Sequence, residues 1–523
     1  MNFGLNQKLT VLITNKQKQL SNRSKSMKLI LKTSFLLVLF TSLTFAQTGT
    51  RLVDFNAKSI GRGGTSIGTF DSPALMMNNP AGISFLSNSM LDANISLMFP
   101  KIHFTNTLND ADGDKNMFPL PALGYVNKYP ESDFTWGVGF FTAGGMGADL
   151  KLMHALYRDQ TGNSVLQEYH SQLASMQGGI SAAYKFTENL SLGVSLHGVY
   201  SMLEFWMPYS LDPSIMKGIA MPGMTFGQLF AAPPTAGGFG YDEVTASAKM
   251  SDLTAIGFNG KVGLAYQCND LFSLGLSYTM PTPLTYKNGK AKMDMTYQFN
   301  DAFAKAIQGY KMLNPSATDA QAQAAVMAQF DGMRIDLTKG VAADYDLNLD
   351  LTFPQSVGFG ISYKPSASLN LALDVEWINW KSAFDNMTIK LSNGANPNIN
   401  KMLGNTGTFD LEFPLNWKNS FVVKVGGEYM VNHDLTFRLG FAHGTNPVPE
   451  ETVFPVFPAI VENHLMVGGS YKIAKPLTLH FAYEMALNNS LTASKPSLIA
   501  NEYDGSTSKL GTSIGHLAIS YNF

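Results

Sequence analysis

The sequence predicts an all-β fold, a transmembrane antiparallel β-barrel of fourteen strands with an N-terminal hatch, or plug, in its lumen. Three observations carry that prediction: a two-residue alternation of apolar and polar side chains along the chain, connectors that alternate between very short and long, and an export-type leader. A period of two puts successive side chains on opposite faces of a strand. At the C-terminus Leu517, Ile519, Tyr521 and Phe523 fall on one face, and His516, Ala518, Ser520 and Asn522 on the other. Leu369, Leu371, Leu373, Val375 and Trp377 alternate in the same way with Asn370, Ala372, Asp374 and Glu376. A charge facing lipid at mid-membrane costs about 2–4 kcal/mol, whereas a wet lumen tolerates it, so the apolar face is expected to meet lipid.

Strands are expected at 90–99, 117–127, 133–142, 172–186, 189–206, 244–267, 271–287, 351–363, 369–381, 417–431, 435–443, 463–473, 477–488 and 512–523. An even count suits a single-chain bacterial barrel. The connectors 128–132, 187–188, 268–270, 364–368, 432–434 and 474–476 are tight, and those between them are long, up to 288–350. Short turns belong on the periplasmic side and long loops outside, which puts both termini in the periplasm. Within the loops, 301–307 and 318–330 are Ala-rich and favour helix, with Asn314-Pro315-Ser316 as the break between them, and 150–173 is expected to be partly helical. The loop 211–240 places Met216, Ile219, Met221, Met224, Phe226, Leu229 and Phe230 among Gly and Pro. Such an apolar loop either packs on its neighbours or receives apolar ligands.

Met27-Lys28 is a second plausible start, and Lys32, the apolar run 35–40 and Thr44-Phe45-Ala46 read as a secretory signal cleaved after Ala46. A membrane-anchoring helix, the alternative, requires a longer uninterrupted apolar run. Three parts follow: 1–46 as extension plus signal, 47–88 as the hatch, and 89–523 as the barrel. The hatch expectation rests on turn residues set among Leu75, Met76, Met77, Ile83 and Phe85, and on a lumen too wide for its own side chains to fill. Of 37 Lys and Arg against 39 Asp and Glu, 7 basic and no acidic residues lie in 1–46, leaving 30 against 39, a net charge of −9. That balance disfavours nucleic acid as a partner. A single cysteine, Cys268, excludes an intramolecular disulfide and disfavours zinc–thiolate chemistry. No nucleophile elbow, H-E-x-x-H pair or phosphate loop is read, so no enzyme, catalytic residue, metal or cofactor is expected.

Asn79-Pro80-Ala81-Gly82, preceded by Gly63-Gly64 and Asp71, resembles the hatch signature of the FadL family, the long-chain fatty-acid transporters of Gram-negative outer membranes. Pro354-Gln355-Ser356, Trp377-Ile378-Asn379-Trp380, Trp417-Lys418-Asn419-Ser420 and Asn446-Pro447-Val448-Pro449 are similar to that family's later strands and loops. The resemblance implies passive uptake of a hydrophobic compound, long-chain fatty acids foremost. The ligand would land on apolar outer loops, enter a lumenal pocket and leave sideways at an inward kink of the third strand. Gly144, Gly145 and Gly147 mark that kink, or else simply begin a long loop. Arg438 and Lys424 point inward by parity and would meet a substrate carboxylate, or else pair with Glu428, Glu484, Asp374 or Glu376 and hold the hatch. The expected surroundings are outer-membrane lipid and lipopolysaccharide, with the barrel-assembly machinery reading Phe523. A water-filled porin, which predicts polar loops and no plug, and an outer-membrane hydrolase, which requires a catalytic motif, are the rivals.

Overall fold

Alternating burial along each strand follows the sequence pattern, and the computed structural model, which describes residues 49–159 and 161–523, turns it into a closed barrel. The expected extension and signal, 1–46, lie outside the described residues. The first six staves are β1 (Met90–Thr105), β2 (Phe118–Lys128), β3 (Phe134–Arg158), β4 (Ser164–Lys185), β5 (Leu190–Leu211) and β6 (Val244–Gln267). The next four are each built of two segments: β7 (Phe272–Thr279 and Thr282–Asp294), β8 (Ala342–Phe353 and Ser356–Ser366), β9 (Leu369–Ile378 and Asn386–Ser392) and β10 (Phe409–Pro414 and Ser420–Met430). The barrel ends with β11 (Leu435–Gly444), β12 (Asn463–Ala474), β13 (Leu477–Thr492) and β14 (Thr507–Asn522). Each pairs antiparallel with its neighbour in sequence, and β1 pairs β14 from Met90↔Asn522 to Thr105↔Thr507, which closes the barrel with fourteen staves. Closure leaves no strand edge unpaired at the ends of the sheet.

The outer face is apolar. Ile256, Phe258 and Leu439 are 76%, 70% and 71% exposed, while Ser195, Asn259, Asp374, Glu376, Lys424 and Arg438 face inward and are buried. In water such an exterior is an association hazard; against acyl chains it is the low-energy arrangement. Aromatic pairs gather near the short-turn end: Tyr125–Trp136 at 5.9 Å, Tyr184–Phe186 at 5.2 Å and Phe272–Tyr363 at 4.5 Å. Phe523 joins them, 5.8 Å from Tyr125, and its N–H donates to the Ser89 carbonyl at 3.0 Å.

One expectation is overturned. Residues 150–173 are not helical: β3 runs on to Arg158 and β4 begins at Ser164, a hairpin around a turn with Gly162 at φ +85°. Leu150, Leu152 and His154 alternate inward on it, and pairing with the adjacent strand overrides the helix preference of Leu, Met and Ala. β3 is 25 residues long, beyond the about 9–11 that cross the hydrocarbon, so the staves extend past the bilayer on the long-loop side.

The two Ala-rich stretches do fold as helices, Thr296–Leu313 and Asp319–Gly332, broken around Pro315, and the second is capped by a reciprocal Thr318–Gln321 pair. Their buried faces meet through Phe299 and Phe330, whose rings are 5.0 Å apart. The largest apolar core fills the long-loop end, where Trp380, Phe384, Trp417, Phe413 and Phe205 pack with the buried loop 447–461.

Candidate functional site

Residues 49–88 form no stave and touch inward-facing groups of strands around the barrel. Asp54 gathers the segment by accepting from Ser59 Oγ at 2.6 Å, Ser66 Oγ at 2.7 Å and Asn78 Nδ2 at 2.9 Å. The Ser66 and Ile67 N–H groups donate to Asp374 Oδ2 on β9 at 2.7 and 2.9 Å. Asn79 is fully buried; its Nδ2 donates to the Ile67 carbonyl at 2.8 Å and to the Leu264 carbonyl of β6 at 3.0 Å. Pro80, Ala81 and Gly82 continue from it as a buried 3-10 turn, Pro80–Phe85. Gly63 and Gly64 adopt φ of +74° and +75°, which side chains disfavour, and a Cβ on Gly63 would stand 2.9 Å from the Phe441 nitrogen. The strands reciprocate with inward glycines: a Cβ on Gly61 would meet Gly468 Cα at 3.0 Å. Backbone therefore approaches backbone, a match between distant glycines that no local pattern reveals.

The expected cations are engaged in this contact. Arg438 Nε donates to Glu428 Oε2 at 2.5 Å, and Lys424 Nζ donates to the Val53 carbonyl at 2.7 Å. The fully buried Arg62 donates to both Asp71 (3.0 Å) and Glu428 (3.3 Å). Burial opposes ionisation of Asp71, but Arg62 beside it, with Lys58, holds its carboxyl well below the usual carboxylate range. Neither Arg438 nor Lys424 lines the main cavity.

That cavity, of about 360 Å³, lies where the wall is interrupted. The β1–β2 ladder runs as far as Met98↔Phe118, but the β2–β3 ladder ends at Ala122↔Phe141. Beyond that point β3 has a bulge between Thr142 and Gly144, the Gly145 N–H donates to the Thr50 carbonyl at 3.1 Å, and Gly144 bridges Arg51. Thus Gly144, Gly145 and Gly147 lie where β3 leaves β2 and binds residues 50–51 instead. Sequence reasoning missed the other half of this seam. The Pro121 carbonyl accepts from Thr142 Oγ1 at 3.0 Å, so the missing N–H groups of Pro121 and of Pro119, two residues back, face β3 as well. A two-residue spacing of prolines in a strand is a readable edge signal. Both prolines are exposed on the outside yet line the cavity, as do Leu120, Met98, Leu173 and Met202.

The apolar loop lies apart from this cavity. Met216, Phe226, Leu229 and Phe230 are each 1% exposed and pack within their own loop and its neighbours; Ile219 is 54% exposed, and Met221 and Met224 are partly buried. Met216 lines a separate cavity of about 40 Å³. The loop between β13 and β14 carries another buried group, Glu502, which accepts from Tyr169 Oη at 2.7 Å. Burial, aided by Glu243, pushes its carboxyl up to about 7 despite that hydrogen bond. Below about pH 4.5 Glu502 is protonated whether the loop is closed or open; above it the open form ionises first, so packing weakens up to about pH 7, by about 3 kcal/mol in all. Limited proteolysis of the outer loops is expected to be faster at pH 8 than at pH 5, and the difference should vanish in Glu502→Gln.

Two G-x-S-x-G spacings, at 64–68 and 511–515, are not nucleophile elbows. Ser66 serves Asp54 as described, and Ser513 lies mid-strand in β14.

Among curated proteins none matches the chain by sequence. Solved structures do match in fold. The toluene transporter TodX of Pseudomonas putida gives a TM-score of 0.64 at 18% identity, covering 90% of this chain and 99% of its own. A Pseudomonas aeruginosa FadL homologue gives 0.64 at 16%, covering 91% and 100%. The Ralstonia pickettii toluene transporter TbuX gives 0.60 at 20%, covering 90% and 99%. The family model of outer membrane protein transport proteins (OMPP1/FadL/TodX) matches residues 37–523, so the chain belongs to that family, whose members are outer-membrane channels for hydrophobic compounds and not enzymes.

Proposed function

We propose that this protein carries long-chain fatty acids across the outer membrane, releasing them sideways between β2 and β3, with residues 47–88 acting as a hatch that denies straight passage. The position of the 360 Å³ apolar cavity against the interrupted β2–β3 seam carries this reading. Each methylene removed from water contributes about 0.8 kcal/mol, so a sideways exit keeps an acyl chain in apolar surroundings from cavity to bilayer. Benzene fills a cavity of about 150 Å³, so a void of about 360 Å³ favours a longer chain over the single ring handled by toluene transporters. Exposed Ile219 and its partly buried neighbours Met221 and Met224 offer an outer landing surface. Asn79, which ties residues 67 and 264, anchors the hatch turn. Phe523, at the periplasmic short-turn end, serves as the signal to the assembly machinery, while the wall meets outer-membrane lipid and the long-loop end meets lipopolysaccharide.

Proteoliposomes are expected to take up oleate and to exclude a sugar of similar mass; sugar permeation without oleate transfer would favour the porin. The double substitution Pro119→Val, Pro121→Val returns two donors to the edge facing β3 and lets the ladder extend. Oleate uptake should fall about tenfold while heat-modifiable assembly persists. Unchanged uptake by an assembled double variant would exclude the seam as the exit.

A further inference from the structure

Apolar voids lie in series below the outer loops. The void of about 40 Å³ beside Met216 is lined by Tyr209 of β5 and Phe409 of β10. Four residues away on the same face of each strand, Phe205 and Phe413 line an aromatic void of about 30 Å³. Four residues span about 13 Å of strand. Leu173 then lines both this middle void and the large cavity. The three spaces therefore lead from the outer loop to the seam. Every side chain around the middle void is apolar, and such a space stays dry. Its volume is far below the about 150 Å³ that holds benzene, so no ligand rests there while the rings keep their places.

Three rings close the middle void edge to face. Phe454 is 5.3 Å from Phe413 and 6.0 Å from Phe205, and Phe205 is 5.9 Å from Phe413. Phe205 and Phe413 stand on staves, whose paired backbone fixes them. Phe454 comes instead from the buried loop 447–461, whose flanks are tied down. The Lys418 N–H donates to the Pro447 carbonyl at 2.7 Å, Thr452 Oγ1 to the Leu415 carbonyl at 2.6 Å, and Asn489 Nδ2 to the Ile460 carbonyl at 2.7 Å. Between those ties, among the described residues, one hydrogen bond joins residues 453–459 to a stave, from Ser171 Oγ of β4 to the Val456 carbonyl. Phe454 is thus the ring of the three that can yield without unpairing the wall. We propose, on the basis of the transport reading above, that Phe454 sets the width of ligand admitted from the outer loops to the large cavity. Displacing this one ring opens a passage for a slender acyl chain. A chain carrying methyl branches needs Phe205 and Phe413 to move as well, and the sheet holds both. The substrate class is then the unbranched acyl chain, selected by cross-section. Packing alone is the opposing outcome, and it predicts that slender and branched ligands respond alike.

The test compares oleate with phytanate, a methyl-branched acid of similar size. Uptake is measured in proteoliposomes of the full-length protein, with protein-free liposomes as the background. The unaltered protein is expected to carry oleate at least tenfold faster than phytanate. Phe454→Ala is expected to raise phytanate uptake about tenfold and to leave oleate within twofold, so that the preference collapses. Phe454→Leu, the milder change, should raise phytanate about threefold, and it decides the question if the alanine variant fails to assemble. No preference for oleate in the unaltered protein, or an assembled variant in which phytanate does not gain on oleate, overturns Phe454 as the determinant of width and leaves it a packing residue. If the unaltered protein carries neither acid, the fatty-acid transport reading fails instead.

Discussion

Replacing Arg62 with methionine is expected to free residues 49–88 from the wall and make the outer membrane leaky to large hydrophilic antibiotics. The guanidinium is fully buried and holds four acceptors: Asp71, Glu428, Thr65 Oγ1 at 3.2 Å and the Thr65 carbonyl at 3.2 Å. Removing one member of a buried ion pair leaves the other uncompensated, at about 3–5 kcal/mol. Glu428 keeps Arg438, so the loss falls on Asp71, whose remaining cation, Lys58, is 3.9 Å away. Arg62→Lys should be intermediate, because an ammonium cannot serve a fork of acceptors. Because Asp71 ionises more readily in place than in an unfolded chain, its stabilisation is complete above about pH 4 and is lost as pH falls below that value. Vancomycin sensitivity of cells bearing Arg62→Met should therefore rise several-fold and stay constant between pH 5 and 8. Unaltered sensitivity with normal assembly would remove Arg62 from the role of anchor.

Leu173→Asp is expected to abolish uptake while sparing the barrel. Leu173 is 2% exposed and lines both the 360 Å³ cavity and a neighbouring aromatic cavity of about 30 Å³ bounded by Phe205, Phe413 and Phe454. A carboxylate there puts a charge where the ligand's hydrocarbon would lie, and burying an ion without full compensation costs several kcal/mol. A loss of about 3 kcal/mol for an apolar ligand is roughly a hundredfold in affinity. Leu173→Asn, of similar shape and uncharged, should lose far less. Oleate transport by assembled Leu173→Asp at the normal rate would place the ligand path elsewhere.

The barrel was legible because lipid and lumen impose opposite polarity on alternate residues, so each strand announces its own faces. Connector lengths then gave the count and direction. The stretch 150–173 was not legible, since its Leu, Met and Ala favour helix locally and only the adjoining strand shows the backbone paired. Glycines 144, 145 and 147 were visible as a weak point, and the matching prolines 119 and 121 were equally visible but unread. The apolar loop 211–240 was recognised by composition. Which of its residues face one another, and that Met216 and Phe230 are spent on packing, depended on helices and loops far along the chain.

The chain by itself determined the barrel, its fourteen staves, the apolar exterior and the inward parity of Lys424 and Arg438, because each of these is set by neighbours two residues away. Only the tertiary structure decided what those inward charges meet. Arg62 and Arg438 converge on Glu428, and Lys424 donates to the Val53 carbonyl. The Arg62–Glu428 and Lys424–Val53 contacts join residues hundreds of positions apart. Coulomb and hydrogen-bond energies act over a few ångströms in space, and only closure of the barrel brings the partners within that range.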